Sequence, residues 1–429
     1  MMTDTQQNTS EVTWVAIDVA KRWNAVLVEF SDGRRHVFKM ANRRDDYDRL
    51  VGFLRALPGA VHIALEPTAD YHRLLAYRLV REGFDLCQVS SLAGARYREA
   101  RFNSWDKNDP KDAEVILELL KQGLTQRYHD PLIHGIHDWQ ELSKTYLQIS
   151  RARTRLQHAL LNHYLALYFP EMERFWCTTR NQWFIAFLLR FPTPGSITAL
   201  TEAEFVEAAW VITGRRVNKR GKLAEMYLLA QQSIGLPAMP DSPAVATFRL
   251  QLARYQELNR QRLELEETAK RLLGEHPDYA RLVTVPGIGP IVALIILAEA
   301  GDLRRFHHHR QFLKFCGLDL AKYQSGGARG QERLSKRGNA RLRCAFWMAA
   351  MRAIRLPENG FRDKFERYIR ANPQDADLRR KAYTAVAAKM ARVVYGLVKR
   401  QMDYRPRFEC ELPRGSIPLS RAVEAIRTS

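Results

Sequence analysis

The sequence has no C-x-x-C pair; its five cysteines, Cys87, Cys177, Cys316, Cys344 and Cys410, are scattered along the chain. That excludes a zinc ribbon and a disulfide framework, and it fits a reducing compartment. Long apolar runs are also missing. The longest, IVALIILAEA at 291–300, is too short to cross a bilayer and contains Glu299. The first ten residues, MMTDTQQNTS, are polar and lack the apolar core of a signal peptide. A soluble, cytoplasmic, nucleoid-associated chain is expected. Acid is in short supply too, with 47 Asp and Glu against 67 Lys and Arg, a formal charge of +20. The excess is spread along the chain rather than gathered in a tail. It points to a polyanionic partner, of which nucleic acid is the commonest. A membrane surface fits less well, because no long basic amphipathic helix with an isolated apolar face is present.

What is there begins with a polar tail, residues 1–11, followed by three short runs rich in β-formers at 12–18, 24–30 and 34–40. Ser31-Asp32-Gly33 between the last two is a hairpin signal. A helical pattern follows at 45–57, then a buried-type strand at 61–66, a helix at 70–82, a strand at 84–90, and helices at about 92–101 and 109–122. A meander followed by alternating β and α is the pattern of a ribonuclease-H-like domain over 12–130.

Acids fall at telling places on this pattern. Asp18 ends the first strand and Glu66 the fourth, the two strands that such a fold sets side by side. Asp109 and Asp112 lie three apart at the start of the last helix, on one face. Taken alone, Pro110 makes Asp109 a helix N-cap and Asp112 a first-turn charge. Asp18 alone is a strand-end turn residue, and Glu66 alone is a surface acid flanking a helix. Four carboxylates from three segments are instead the hard oxygen set that suits Mg²⁺, or two metals about 3.5–4 Å apart at a scissile phosphate.

From 137 to 275 the pattern is helical. Leu142, Ile149 and Leu156 recur at sevens in 138–169, with Tyr146, Leu160 and Leu167 alongside and Arg153 and His163 interrupting. Leu258, Leu265 and Leu272 do the same in 243–274. A coiled coil or a plain bundle, within the chain or with a second subunit, follows. Shorter helices are expected near 179–190 and 222–233, and Thr201 with Glu204 forms a capping box.

The C-terminal domain, 279–405, opens with YARLVTVPGIGPIVALIILAEA at 279–300. A short helix, a turn holding Gly287 and Gly289, and an apolar helix make a helix-hairpin-helix. In that motif the backbone N–H groups approach a nucleic-acid phosphate without reading sequence; such hairpins also serve as plain packing units. A Gly-rich loop with Ser325, Gly326 and Gly327 follows, then the basic stretch Ser335-Lys336-Arg337-Gly338-Asn339 and a mainly helical region at 340–404. Lys336, Arg337, Asn339 and Arg341 are candidates for phosphate contact. His307, His308 and His309 read as a solvated turn, not a metal site. Residues 406–429 form a tail.

The motifs AIDVAK (16–21), ALEPT (64–68), NDPKDA (108–113), VPGIGP (285–290), FCGLDL (315–320), YQSGG (323–327) and LSKRGNARLR (334–343), in this order, resemble one family. It is the DEDD insertion-sequence transposases, with an N-terminal RuvC-like domain and a C-terminal transposase domain. Relatives include the pilin-gene invertases and the recombinases guided by a bridge RNA. The resemblance implies Mg²⁺ (Mn²⁺ as a substitute) on Asp18, Glu66, Asp109 and Asp112, and a nucleophilic serine at Ser325. It also implies cleavage and religation through a phosphoserine bond, double-stranded donor and target DNA, a structured guide RNA, and dimers meeting as a tetramer. The chain departs from the commoner pattern at Asn108, Pro110 and Pro67, none of which removes a ligand oxygen.

From the residues alone, Tyr323 and Ser335 remain rival nucleophiles, since a serine hydroxyl needs activation wherever it lies. A metal-dependent junction nuclease or a DNA invertase is the second reading. An architectural nucleic-acid-binding protein is the non-enzymatic one.

Overall fold

The computed structural model describes residues 11–102, 109–177, 182–213, 219–321, 324–325, 328–329 and 332–406, with backbone alone at 109, 110, 213, 324, 325, 328 and 329. The terminal tails, apart from Glu11 and Pro406, and also Asn108, Tyr323, Gly326 and Gly327, lie outside the described residues. The chain divides into two compact units, residues 1–138 and 139–429. No described helix is long and apolar enough to cross a membrane.

The first unit is built on strands β1 (Val12–Asp18), β2 (Trp23–Glu29), β3 (Arg35–Ala41), β4 (Ala60–Glu66), β5 (Leu86–Gln88) and β6 (Gln126–Arg127). They form one sheet of order β3-β2-β1-β4-β5-β6. β1, β2 and β3 are an antiparallel meander, while β4 runs parallel to β1 and β5 parallel to β4. This mixed order is compatible with a ribonuclease-H-like domain. β5 is shorter than the sequence suggests, and β6 closes the edge antiparallel to it.

Alternation along the strands supplies both faces with apolar side chains. Val15, Ile17, Val26, Val28, Ile63 and Leu65 pack under α1 (Arg44–Arg55) and α2 (His72–Arg81). Ala16, Leu27 and Ala64 face the other way, against α3 (Ser91–Phe102) and α4 (Asp109–Lys121). The small alanines in the strand centres let α4 lie close. Its residues Ala113, Val115, Ile116, Leu117, Leu119 and Leu120 are buried there.

The second unit begins in α5 (His137–Ala159), which continues through a π-helical turn, Leu160–Leu165, into α6 (Ala166–Tyr168). Helices α7 (Gln182–Arg190), α8 (Pro194–Thr198), α9 (Glu202–Thr213) and α10 (Lys219–Gln231) follow, and then the long α11 (Pro243–Leu273). The capping box at α9 is formed, with the Thr201 N–H donating to Glu204 at 2.9 Å and the Glu204 N–H to Thr201 Oγ1 at 3.4 Å.

α5 and α11 pair antiparallel within the chain. Tyr146 donates to Glu266 at 3.1 Å, Arg153 donates to Asn259 at 2.6 Å, and Tyr164 stacks on Phe248 with centroids 5.2 Å apart. The seven-residue leucine seam in α11 is not its buried stripe. Leu272 is exposed, and the buried positions are Val245, Phe248, Leu252, Tyr255, Ala269 and Leu273. The polar contacts of Arg153 and Tyr146 occupy the middle of the pair, where no residue of α11 is buried; this explains the interrupted seam.

The two ends of this pair enter different cores. One, around Phe169, Phe184, Phe187 and Phe205, takes Phe248 and Tyr255. The other takes Ala269 and Leu273 into the helices that follow. These are α12 (Pro277–Val283), α13 (Pro290–Ala300), α14 (His309–Cys316), α15 (Ala340–Ala353), α16 (Gly360–Ile369) and α17 (Ala376–Arg400). Between α14 and α15 lies a ribbon. β7 (Leu320–Ala321) pairs with β10 (Arg333–Leu334), and β8 (Gln324–Ser325) with β9 (Ala328–Arg329).

Candidate active site and nucleic-acid interface

Asp18 and Glu66 are register partners across the parallel β1–β4 ladder. Parallel neighbours lie about 4.8 Å apart, and residues in register project to the same face. Ala16 and Ala64, two residues earlier on each strand, pack on the α4 side. Asp18 and Glu66 therefore belong to that side as well, both half-buried at the strand ends.

α4 brings the second pair. Asp112 is 2 % exposed on this helix, which is packed on β1, β2 and β4. Asp109 opens the same helix one turn earlier, and its side chain lies outside the described residues. α3 connects the two groups. A Cβ at Gly94 would come within 3.5 Å of Glu66 Oε2, and Arg98, one turn further along α3, is ion-paired with Asp112. One face of one helix thus touches the carboxylates of Glu66 and Asp112.

Among the described residues, no three His, Cys, Asp or Glu side chains are already gathered at ligand distance. The donor set still fits a hard divalent cation, being all carboxylate. The Arg98 guanidinium lies on Asp112, so a cation is already present on that carboxylate. Sequence reading passed over Arg98 and Gly94; an unexplained glycine in a helical run, four residues before an arginine, was the available signal.

In the second unit, Ser325 is the β8 residue paired with Ala328. Ser335 sits at the ribbon's base. Its Oγ donates to the Asp319 carboxylate, and its N–H donates to the Asp319 carbonyl at 2.9 Å.

The basic stretch that follows is a fixed platform. Gly338 has φ +139°, and a Cβ there would meet the Phe315 carbonyl at 2.5 Å. The Asn339 N–H donates to that same carbonyl at 2.7 Å. Asn339 also caps α15, accepting from the N–H groups of Arg341 and Leu342 at 2.9 and 3.0 Å. Buried Glu299 accepts from the Asn339 side chain at 2.7 Å and from Arg341 at 2.8 Å. These two candidates for phosphate contact are therefore held inward by one carboxylate. Lys336, in left-handed conformation at φ +54°, and Arg337 remain exposed at the platform's apex. Glu299 is the residue sequence reading noticed only as a charge in an apolar run.

The glycines of the 286–289 turn are not equivalent. Gly287 has φ +89°, and a Cβ there would lie 2.3 Å from the Ala349 carbonyl, so close packing on α15 accounts for it. Around Gly289 there is open space. His308, in the expected turn, is the N-cap of α14, accepting from the Arg310 N–H at 3.2 Å.

Residues 15–170 match the model of a DEDD-type IS110 transposase domain, and residues 279–366 match that of the IS116/IS110/IS902 transposase family. Two separate regions of the chain are thus similar to domains of IS110-type transposases. All four acids fall within the first matched region, and the ribbon with its basic platform falls within the second. The chain is similar to a probable family 20 transposase of Pseudomonas aeruginosa, at 32 % identity over 45 % of this chain and 56 % of that one. It is similar to the transposase for insertion sequence element IS1111A of Coxiella burnetii, at 32 % over 42 % and 47 %. A longer match, 23 % over 80 % and 85 %, is to the uncharacterized 44.8 kDa protein of insertion element IS116 of Streptomyces clavuligerus. The chain spans about half the length of the first two of these relatives.

Proposed function

We propose that this chain is an insertion-sequence transposase that cuts and rejoins double-stranded DNA through a serine nucleophile, with the four acids as its Mg²⁺ site. The observation that carries the reading is the register pair Asp18–Glu66 on the sheet face that α4, with Asp109 and Asp112, covers. Helix caps and strand-end acids have no reason to meet on one face.

Ser325, in β8, is the nucleophile. Its oxygen forms a bond to phosphorus as the bond from phosphorus to a deoxyribose oxygen breaks, and the released oxygen takes up a proton. Attack by a deoxyribose hydroxyl on the phosphoserine reverses the step and rejoins the strand without a free end. A divalent cation held by Asp18, Glu66, Asp109 and Asp112 supplies Lewis acidity and neutralises charge at the phosphate. Lys336 and Arg337 hold the strand beside the ribbon. By the family resemblance, a guide RNA pairs with donor and target, and the acids of one subunit act with the serine of another in a tetramer.

The test is formation of a covalent protein–DNA adduct in the presence of Mg²⁺. Ser325→Ala abolishes the adduct while DNA binding persists, and Asp18→Asn abolishes the Mg²⁺-dependent chemistry. Adduct unchanged in Ser325→Ala removes this mechanism. Free ends with no adduct at any stage support the nuclease reading. Ser335, whose Oγ donates to Asp319, and Tyr323 are the rivals, and mapping the adducted residue separates the three. RNA copurifying with the chain, sequenced and compared with the flanks of its gene, tests the guided arrangement.

A further inference from the structure

Several cations of the second unit lie on carboxylates: Arg304 on Asp278, Arg341 on Glu299, Arg362 on Glu366 and Arg380 on Asp377. Of those that do not, among the described residues, one group is clustered where two helices pack together. Lys364 and Arg367 are a turn apart on α16, and Lys389 and Arg392 are a turn apart on α17, the helix packed against it. Arg310, at the start of α14, extends the row, because α14 packs on α17 and His309 feels the charges of both Arg310 and Arg392. Lys389 donates to the Gly360 carbonyl at 2.5 Å and lies 5.5 Å over the Phe361 ring, which fixes it beside the first turn of α16. That is the positive end of the helix dipole, where a cation is unfavourable and an anion is welcome.

Burial is the largest influence on both lysines and lowers their basicity. Lys364 is lowered further by Arg392, Lys389 and Arg367, and Lys389 by Arg367, with only Asp363 opposing at Lys389. Among the described residues, none of Lys364, Arg367, Lys389, Arg392 and Arg310 is in an ion pair with a carboxylate. Half-buried like charges without partners are costly to keep together unless an external anion completes them.

We propose that the α16–α17 face, through Lys364, Arg367, Lys389 and Arg392 with Arg310 at its edge, binds the phosphate backbone of duplex DNA. Cations on a helix three residues apart are about 5–6 Å from one another, so two adjacent rows present charge along a run of successive phosphates. Contacts of this kind position a duplex without reading its sequence. The face is separate from the platform at Lys336 and Arg337, and the inference rests on DNA being the substrate.

The test uses the full chain with a fluorescent duplex DNA of unrelated sequence, titrated from 50 to 200 mM salt. In the double variant Lys364→Gln/Arg392→Gln, the slope of log K against log salt falls in magnitude by about 1.8, because each lost phosphate contact removes about 0.9. Arg362→Gln/Arg380→Gln removes the same charge from paired positions and leaves the slope unchanged. Equal effects in the two double variants, an unchanged slope in the first, or a change seen with duplex RNA alone overturn the inference. Wild-type chain that shows no salt-dependent DNA binding overturns the DNA reading itself, so the two failures are distinguishable. If Lys364→Gln lowers the melting temperature, the wholly exposed pair Arg367→Gln/Arg392→Gln takes its place, with the same slope change expected and an unchanged slope refuting.

Discussion

Arg98→Met is the most informative single change in the acid cluster. Asp112 is 2 % exposed and its Arg98 partner 14 % exposed, so neither charge is hydrated as it is in the unfolded chain. Removing one member of a buried ion pair takes away the main counter-charge of the other, at a cost of about 3–5 kcal/mol. For a unit of this size, 1 kcal/mol moves the melting temperature by roughly 4 °C, so a fall of about 12–20 °C is expected. Methionine keeps most of the arginine stem volume, which confines the effect to charge. Arg98→Met/Asp112→Asn recovers most of the loss, because the buried carboxylate charge is gone. In the proposed mechanism a divalent cation at the four acids would compete with the guanidinium for Asp112. Millimolar Mg²⁺ therefore raises the melting temperature of Arg98→Met more than that of the wild type, and it has no differential effect on the double variant. The assay is thermal unfolding followed by circular dichroism, with and without Mg²⁺. An Arg98→Met protein that melts as the wild type does, or Mg²⁺ shifts equal in all three proteins, refutes the reasoning.

Other outcomes follow from the second unit. Gly287→Ala places a Cβ against the Ala349 carbonyl at a positive φ and destabilises by about 2 kcal/mol or more, whereas Gly289→Ala, with open space, changes stability by less than about 1 kcal/mol; thermal melts compare the two. Glu299→Ala releases Asn339 and Arg341 and loosens the platform, so both stability and the affinity contributed by Lys336 and Arg337 fall, whereas a variant that binds DNA as tightly as wild type denies the platform its role. Burial holds the His276 imidazole below its ordinary range, with Asp278 partly opposing. The unfolded chain therefore takes up that proton first, and the stability contributed by neutral His276 is full above about pH 6.5 and is lost as pH falls through the folded value. At Asp278 burial raises the carboxyl, but Arg304, His276 and Arg281 outweigh it and hold it below the usual range, so a second loss begins below about pH 3.9. Melting temperatures from pH 8 to 3 show both stages, and His276→Gln removes the first and weakens the second, since His276 is one of the charges on Asp278; one featureless decline in both proteins contradicts the assignment.

The meander, the parallel step and the helical second half were legible because hydrophobic period and turn residues report local structure. Asp18 and Glu66 were legible as a pair for the same reason, since both end strong β-runs and the strand order that follows from the pattern makes those strands neighbours. The partners of these groups were not. Arg98 is distant in sequence from Asp112 only by one connection, yet nothing in its local pattern separates it from Arg96 or Arg101 on the same helix. Glu299 looked like a blemish in an apolar run because its partners, Asn339 and Arg341, come forty residues later. The leucines at 258, 265 and 272 misled for the opposite reason. A seven-residue repeat is a local signal, but which stripe of α11 is buried was decided by the Arg153 and Tyr146 contacts from another helix.

The net charge of +20 was read as one signal, and the structure separates it into two. Arg98, Arg304 and Arg341 are cations whose work is internal: each sits on a carboxylate that burial would otherwise make expensive, and each fixes a carboxylate or a loop in place. Among the described residues, Lys336 and Arg337 on the platform and the cations of the α16–α17 face have no such carboxylate partner, so their charge is available to a polyanion. Neutralising a residue of the first kind therefore lowers stability with little change in salt dependence, while neutralising one of the second kind changes salt dependence with little change in stability. The pairing of each arginine, rather than the count of arginines, decides which surfaces of this chain offer free charge to a polyanion.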